Sequence, residues 1–99
     1  MSEEYEAVFI FREYKNEDKI KELKKKIDEI IIDEKCEIFN KNDLGTRRLA
    51  YKIKNKKVGY YYVVNFKTSV KKKNTERRIK MKLNTMEEIL KYLIIRIDK

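Results

Sequence analysis

Two short runs set the tightest limit on how this chain can fold: Tyr5-Glu6-Ala7-Val8-Phe9-Ile10-Phe11 and Tyr60-Tyr61-Tyr62-Val63-Val64-Asn65-Phe66. Successive side chains of a strand point to opposite faces of a sheet, and both runs are apolar on both faces. Tyr5, Ala7, Phe9 and Phe11 share one face of the first run, and Val8 and Ile10 take the other. Tyr60, Tyr62, Val64 and Phe66 share one face of the second, and Tyr61 and Val63 take the other. Strands of this kind sit inside a sheet, with neighbours on either side.

The stretch NEDKIKELKKKIDEIII, from Asn16, carries the clearest helix signal. Asn16 is a good N-cap, and Glu17 and Asp18 suit the positive end of a helix dipole. Ile20, Leu23, Ile27, Ile30 and Ile31 recur at spacings of three and four, which makes one apolar stripe opposite a solvated, charged face. Cys36 to Phe39 alternates as a second strand, Asn40 to Asp43 interrupts it, and Gly45 permits a bulge before the strand resumes from Arg47 to Ile53. One long strand with a polar kink is the simplest form. Asn55 to Gly59 is expected to turn the chain into the Tyr60–Phe66 strand. Thr68 or Ser69 is expected to cap a second helix running from Val70, with a thin stripe of Val70, Thr75, Ile79 and Leu83 beside a basic face. The segment from Met86 to Lys99 fits a helix through Met86, Ile89, Leu90, Leu93 and Ile94. It also fits a strand from Ile89 to Ile97, with Tyr92 and Ile94 on one face and Leu93 and Ile95 on the other; periodicity alone does not choose. With the strand, the order is βαββαβ, and the first and third strands are the inner pair. That is an α+β, ferredoxin-like arrangement: a four-stranded antiparallel sheet with two helices on one face.

At 99 residues the chain is expected to be a single domain over 1–99. Its 26 Lys+Arg against 17 Asp+Glu give a net charge of +9. A small folded basic domain points first to a polyanion, and nucleic acid is the leading candidate. A general lysine bias that serves only solubility is the plain alternative. Cys36 is the sole cysteine, which excludes an intramolecular disulfide and fits a reducing cytosol. With no histidine to act as its base, Cys36 reads as a small buried hydrophobe rather than a nucleophile. The lack of histidine also removes the usual zinc sites and Ser-His or Cys-His machinery. No metal, cofactor, small-molecule substrate, membrane span or targeting signal is expected, and the start Met1-Ser2-Glu3-Glu4 is not a signal peptide.

An enzyme of the acylphosphatase kind on this fold needs a phosphate-cradling loop after the first strand. Here that loop is Phe11-Arg12-Glu13-Tyr14-Lys15, with no glycine and an acidic residue in the way. The chain is therefore not expected to be an enzyme. A sharper competitor is an RRM-like single-stranded RNA-binding regulator, because VGYYYVVN partly matches the aromatic RNA-binding strand of that fold. Such a protein needs Tyr60 and Tyr62 in solvent, stacked on bases. Val64 and Phe66 extend the same face as an apolar stripe, which favours core positions for both tyrosines.

The candidate contacts for a polyanion are Arg47 and Arg48, then the lysines Lys52, Lys54, Lys56 and Lys57. Guanidinium suits bidentate contact with phosphate or carboxylate. The lysines serve equally to follow a phosphate backbone or to discourage pairing at an exposed strand edge.

Five motifs in order, YEAVFIF, LGTRRLAYKI, VGYYYVVNF, TERRIKM and ILKYLIIR, resemble the bacterial small-subunit ribosomal protein S6 family nearly end to end. The most recognisable is a glycine followed shortly by Arg-Arg-Leu-Ala-Tyr. The resemblance implies the ferredoxin-like fold and supports the strand at Ile89 to Arg96. It implies a cytoplasmic structural component of the small ribosomal subunit. It further implies binding to the central domain of small-subunit (16S) ribosomal RNA as a heterodimer with ribosomal protein S18. Arg47 and Arg48 then contact RNA or that partner, with Lys52, Lys54, Lys56, Lys57 and Arg96 as further candidates. The helix-free sheet face, with Val8, Ile10, Tyr61, Val63, Leu93 and Ile95, faces the partner, and partner and RNA are expected to share that face and the basic edge of the second strand. Three departures from the family pattern stand out. Lys52 replaces a common proline, and Thr75 replaces a common leucine. Extra residues between Met81 and Ile89 are expected to lengthen the second helix by about a turn. The family's longer acidic tails have no counterpart before Lys99.

Overall fold

The structure is a computed structural model that describes residues 3–68 and 74–97. Its elements run β1 (Glu3–Phe11), α1 (Glu17–Asp33), β2 (Cys36–Ile53), β3 (Lys56–Thr68), α2 (Thr75–Leu83) and β4 (Ile89–Ile97). The strands form one antiparallel sheet in the order β2-β3-β1-β4, so the two doubly apolar strands are the inner pair, as expected. The C-terminal ambiguity resolves to a strand because β1 needs a second neighbour. Phe9 and Ala7 pair with Tyr62 and Val64 on one side and with Tyr92 and Ile94 on the other.

The registers define what each face carries. Cross-strand rows on the helix-covered face are Ile89-Phe11-Tyr60-Thr46, then Tyr92-Phe9-Tyr62-Asp43, then Ile94-Ala7-Val64-Lys41. The inner members of these rows meet Ile20, Leu23, Ile27 and Ile31 of α1 and Ile79 and Leu83 of α2 in the main core. Asn16 caps α1 as expected: its side-chain oxygen accepts from the Asp18 N–H at 2.9 Å. Cys36 is buried in this core. Among the described residues no helix is long and apolar enough to cross a membrane.

Three boundaries differ from expectation. Thr68 is the last residue of β3. It extends the sheet, opposite Glu3 and Cys36, and is buried there. Helix α2 starts at Thr75 after Asn74, which is left-handed at φ 68° and makes no side-chain cap. The expected helical stretch from Ser69 to Lys73 lies outside the described residues. At its other end α2 stops at Leu83 rather than gaining a turn. Thr85 turns its hydroxyl onto the Lys82 carbonyl at 2.7 Å, and Met86 reaches the core from the turn that follows. Buried Thr75 is satisfied in place of a leucine, because its hydroxyl accepts from the Arg78 guanidinium at 3.3 Å.

The third correction concerns the hairpin. The turn is two residues, Lys54 and Asn55, both at positive φ (47° and 66°), the geometry that matches strand twist in a tight hairpin. Lys56 to Gly59 belong to β3. Gly59 serves close packing instead of turning: a Cβ there would lie 2.5 Å from Ile10 Cγ2 and 3.3 Å from the Phe11 carbonyl oxygen. This approach lets the β2–β3 hairpin, which runs past the end of β1, fold toward the helix-free face. Leu49 is buried there against Ile10 and Leu90, with Ile53 and Tyr61 beside them. Gly45, at φ 76°, follows the bulge after Asp43 and has open space around it.

Gly59→Ala is expected to destabilise the fold by about 1–3 kcal/mol through overpacking. Gly45→Ala should cost about 1–2 kcal/mol through backbone conformation alone. Urea unfolding of both variants checks the difference; equal and negligible losses would contradict the close packing at Gly59.

Candidate nucleic-acid and partner interface

Residues 44–58 contain Arg47, Arg48, Lys52, Lys54, Lys56 and Lys57 and no carboxylate. Six cations on one hairpin account for two thirds of the chain's net charge of +9. All six are exposed. The ion pairs among the described residues lie elsewhere; four of them, Lys24–Asp43, Lys41–Asp28, Arg78–Glu34 and Lys82–Glu34, tie α1 and the residue that ends it to β2 or to α2. Within the hairpin, the Arg47 guanidinium donates to the Leu44 carbonyl at 3.2 Å, and the Lys54 ammonium reaches the Ile89 carbonyl at 3.5 Å. The second of these ties the hairpin tip to β4. Arg96 stands apart from this cluster. It pairs across from Tyr5 on the far edge strand, at the end of the sheet away from the hairpin, and meets Glu3 at 3.4 Å.

Strand alternation separates the two arginines. Arg47 pairs with Gly59 and shares the side of Tyr61, the helix-free face. Arg48 pairs with Val58 and shares the side of Tyr60 and Thr46, the helix-covered face.

The helix-free face carries a row Leu93-Val8-Val63-Asn42, bordered on one side by Lys91-Ile10-Tyr61-Gly45 and on the other by Ile95-Glu6-Asn65-Asn40. Leu93 and Ile95 are 52% and 45% exposed. Val8, Tyr61 and Val63 are half-buried. Ile10 departs from its expected surface position because Leu49 and Leu90 cover it. A groove of about 250 Å³ lies between the folded-over hairpin and β4, floored by Val8, Ile10 and Tyr61 and walled by Leu49, Tyr51 and Leu93. The Lys91 ammonium lies 5.9 Å from the Tyr51 ring centre, and Tyr51 is 67% exposed. Leu49, Tyr51 and Lys91 are absent from the candidates read from sequence. The signal for two of them is the i, i+2 spacing of Leu49, Tyr51 and Ile53, which puts them on one face of β2.

Tyr60 and Tyr62 do not form a base-stacking platform. Tyr62 is 3% exposed and donates to Asp28 at 2.8 Å. Tyr60 is half-buried, stacks on Phe11 at 6.2 Å and donates to Asp43. The Lys24 ammonium lies 5.8 Å from both ring centres. Burial and the Asp43 carboxylate push the Tyr60 phenol up to about 12, and burial with Asp28 pushes Tyr62 higher still. The RRM-like alternative loses the two side chains it depends on. Among the described residues no group of three His, Cys, Asp or Glu side chains is placed to hold a metal ion.

A profile of the family described as Ribosomal protein S6 matches residues 4–96. The chain belongs to the ribosomal protein S6 family. It is 35% identical over 99 residues to the small ribosomal subunit protein bS6 of Azobacteroides pseudotrichonymphae, covering 96% of this chain and 82% of that one. The proteins of the same name from Caldanaerobacter subterraneus (33% over 94 residues, 95% and 96% covered) and Christiangramia forsetii (30% over 95 residues, 96% and 82% covered) are similar at the same level. The crystal structure of 30S ribosomal protein S6 from Thermotoga maritima superposes with a TM-score of 0.89 at 23% identity, over 98% of this chain and 89% of that one, which shows the shared fold. In this S6-family chain the ferredoxin-like sheet therefore presents a cationic hairpin end, carboxylate-free over residues 44–58, beside a partly exposed apolar strip.

Two carboxylates brace this architecture. Partial burial opposes ionisation of Asp43, but hydrogen bonds from Lys24 and Tyr60 override it and hold the carboxyl below its ordinary value. The Arg78 hydrogen bond at 2.6 Å, with Lys82 adding to it against burial, does the same for Glu34, which joins the end of α1 to α2. The unfolded chain therefore takes up these protons first. Stability should be fully present above the ordinary carboxylate range and fall as pH drops through and below it. Urea titrations from pH 7 to pH 2 check this: Asp43→Asn and Glu34→Gln should each flatten the acid limb. An unchanged limb in both would remove these carboxyls as its source.

Proposed function

We propose that this chain is a structural constituent of the small ribosomal subunit, working in the cytoplasm. In this reading it binds the central domain of small-subunit ribosomal RNA together with ribosomal protein S18 and supports platform assembly and translation. Its work is assembly, with no chemical step. The observation that carries the reading is the hairpin's six cations, none in an ion pair among the described residues, beside an exposed apolar strip. The first suits phosphate and the second suits a protein surface.

Edge protection accounts poorly for these cations. The β2 edge is already broken by register shifts at Ile38/Asn40, Asp43/Gly45 and Arg48/Ile53, and the polar run Asn40 to Asp43 lies along it. The lysines at 52, 54, 56 and 57 cluster instead at the hairpin tip, which supports a contact role for them.

Affinity capture from lysate at moderate salt should recover small ribosomal subunits, and the Arg47→Glu/Arg48→Glu double variant should lose that recovery while keeping its folded circular dichroism. Capture of free messenger RNA without subunits, or undiminished incorporation of the double variant, would count against the proposal.

A further inference from the structure

Beyond the helix-free face lies a second recess, of about 450 Å³, between the β1–α1 connection, the first turns of α1 and the middle of β2. Its size falls within the roughly 300–1,000 Å³ of small-ligand pockets. Tyr14, Lys15, Lys21, Lys24, Thr46 and Tyr60 line it, with Glu17 and Asp43. Asp43 is neutralised in place by Lys24, at 2.5 Å, and by the Tyr60 hydroxyl. Glu17 is the remaining carboxylate, against the exposed ammonium groups of Lys15 and Lys21. Arg48 lies two residues beyond Thr46 on the same side of β2, about 7 Å further along the strand. Its side chain has no hydrogen-bond or ion-pair partner among the described residues. Arg47 faces away from this recess, onto the side of Tyr61 and the apolar groove.

We infer that the adjacent arginines divide between two ligands: Arg48, with Lys15, Lys21 and Thr46, holds RNA backbone phosphate in the α1–β2 recess, while Arg47 serves the protein partner on the helix-free face. This rests on the proposed function and deepens it. The alternation of β2 separates the two guanidinium groups: a surface lying flat on one face of the sheet meets one of them. The recess supplies three ammonium groups and a hydroxyl donor against two carboxylates, one of which is already paired with Lys24. The opposite side supplies apolar side chains suited to a protein surface.

The test titrates a labelled central-domain fragment of small-subunit ribosomal RNA with the full chain, at fixed S18 and then at large excess of S18. Arg48→Glu and Lys21→Glu should each weaken RNA binding by about tenfold or more, and excess S18 should not restore it. The slope of log K against log salt should fall by about 0.9 for each lost phosphate contact on a duplex. Arg47→Glu should weaken capture of S18 alone, and excess S18 should restore its RNA binding to within about threefold of the wild-type value. If Arg47→Glu and Arg48→Glu lose RNA equally and neither is restored, or if Lys21→Glu and Arg48→Glu bind as the wild type does, the division falls while the proposed function stands. Loss of S18 capture in Arg48→Glu would assign the recess to protein and also overturn it. A wild-type chain that binds no RNA even with S18 would bring down the proposed function, and the division with it.

Discussion

Strand β1 must bury both of its faces, yet helices cover only one. On that covered face Phe9, Phe11, Val64 and Phe66 reach near-zero exposure beneath α1 and α2. On the other, Ile10 and Val8 face outward from the middle of the sheet with no helix above them. Leaving such a strip bare costs about 25 cal/mol for every Å² of apolar surface kept in water. The chain covers part of it with its own hairpin, folding Leu49 and Ile53 over Ile10. Gly59 makes this possible, because no larger side chain leaves room for Ile10 at that crossing. The cover stops short of Leu93 and Ile95, and the boundary between covered and uncovered strip is the groove under Tyr51. Fold and candidate interface thus follow from one constraint: the self-made cover is too short.

The same folding-over sets the electrostatics. Carrying the hairpin past the end of β1 takes its six cations away from Asp43, Asp28 and Glu34, which are engaged with Lys24, with Lys41, and with Arg78 and Lys82. Charge that could have been paired within the molecule is held at its periphery. At physiological ionic strength the field of such a cluster extends about 8 Å, so it acts on a ligand near contact more than at long range. The Lys24–Asp43–Tyr60 group has a complementary role. It fastens β2 to α1 just before the Gly45 bulge, so the strand leaves a fixed point when it sets the directions of Arg47 and Arg48.

Much of this was legible because the relevant periods are short and uninterrupted. The Ile20-Leu23-Ile27-Ile31 stripe announced α1, and two-sided apolar runs placed β1 and β3 inside the sheet. The edge strand β4 was not decided by its own pattern, since Ile89 to Ile97 satisfies both a 3.6 and a 2 repeat; only the need of β1 for a second neighbour resolves it. Glycine and hydroxyl signals misled where they served other ends. Gly59 reads as a turn residue but is small for packing, while the turn falls on Lys54-Asn55. Lysine at positive φ carries no sequence flag. Thr68 reads as a helix cap but is consumed by the sheet. The site was less legible than the fold. Residue type selected the cations correctly as exposed, but depth depends on the hairpin's path. That path buried Ile10, brought Leu49, Tyr51 and Lys91 together, and left Arg96 at the opposite corner.

Paired arginines on a strand raise a geometric question that paired arginines on a helix or loop do not. Adjacent residues on a helix are about 100° apart and can lean toward one ligand, whereas on β2 they are directed to opposite sides. A single flat surface docked on either face would leave one guanidinium in solvent, where a surface charge contributes little. Two ligands, one on each side of the same edge, use both. Each would also hold the strand that orients the other's arginine. On the proposed division, one chain takes both ligands without a conformational switch, through an edge strand short of cover and the alternation of its side chains.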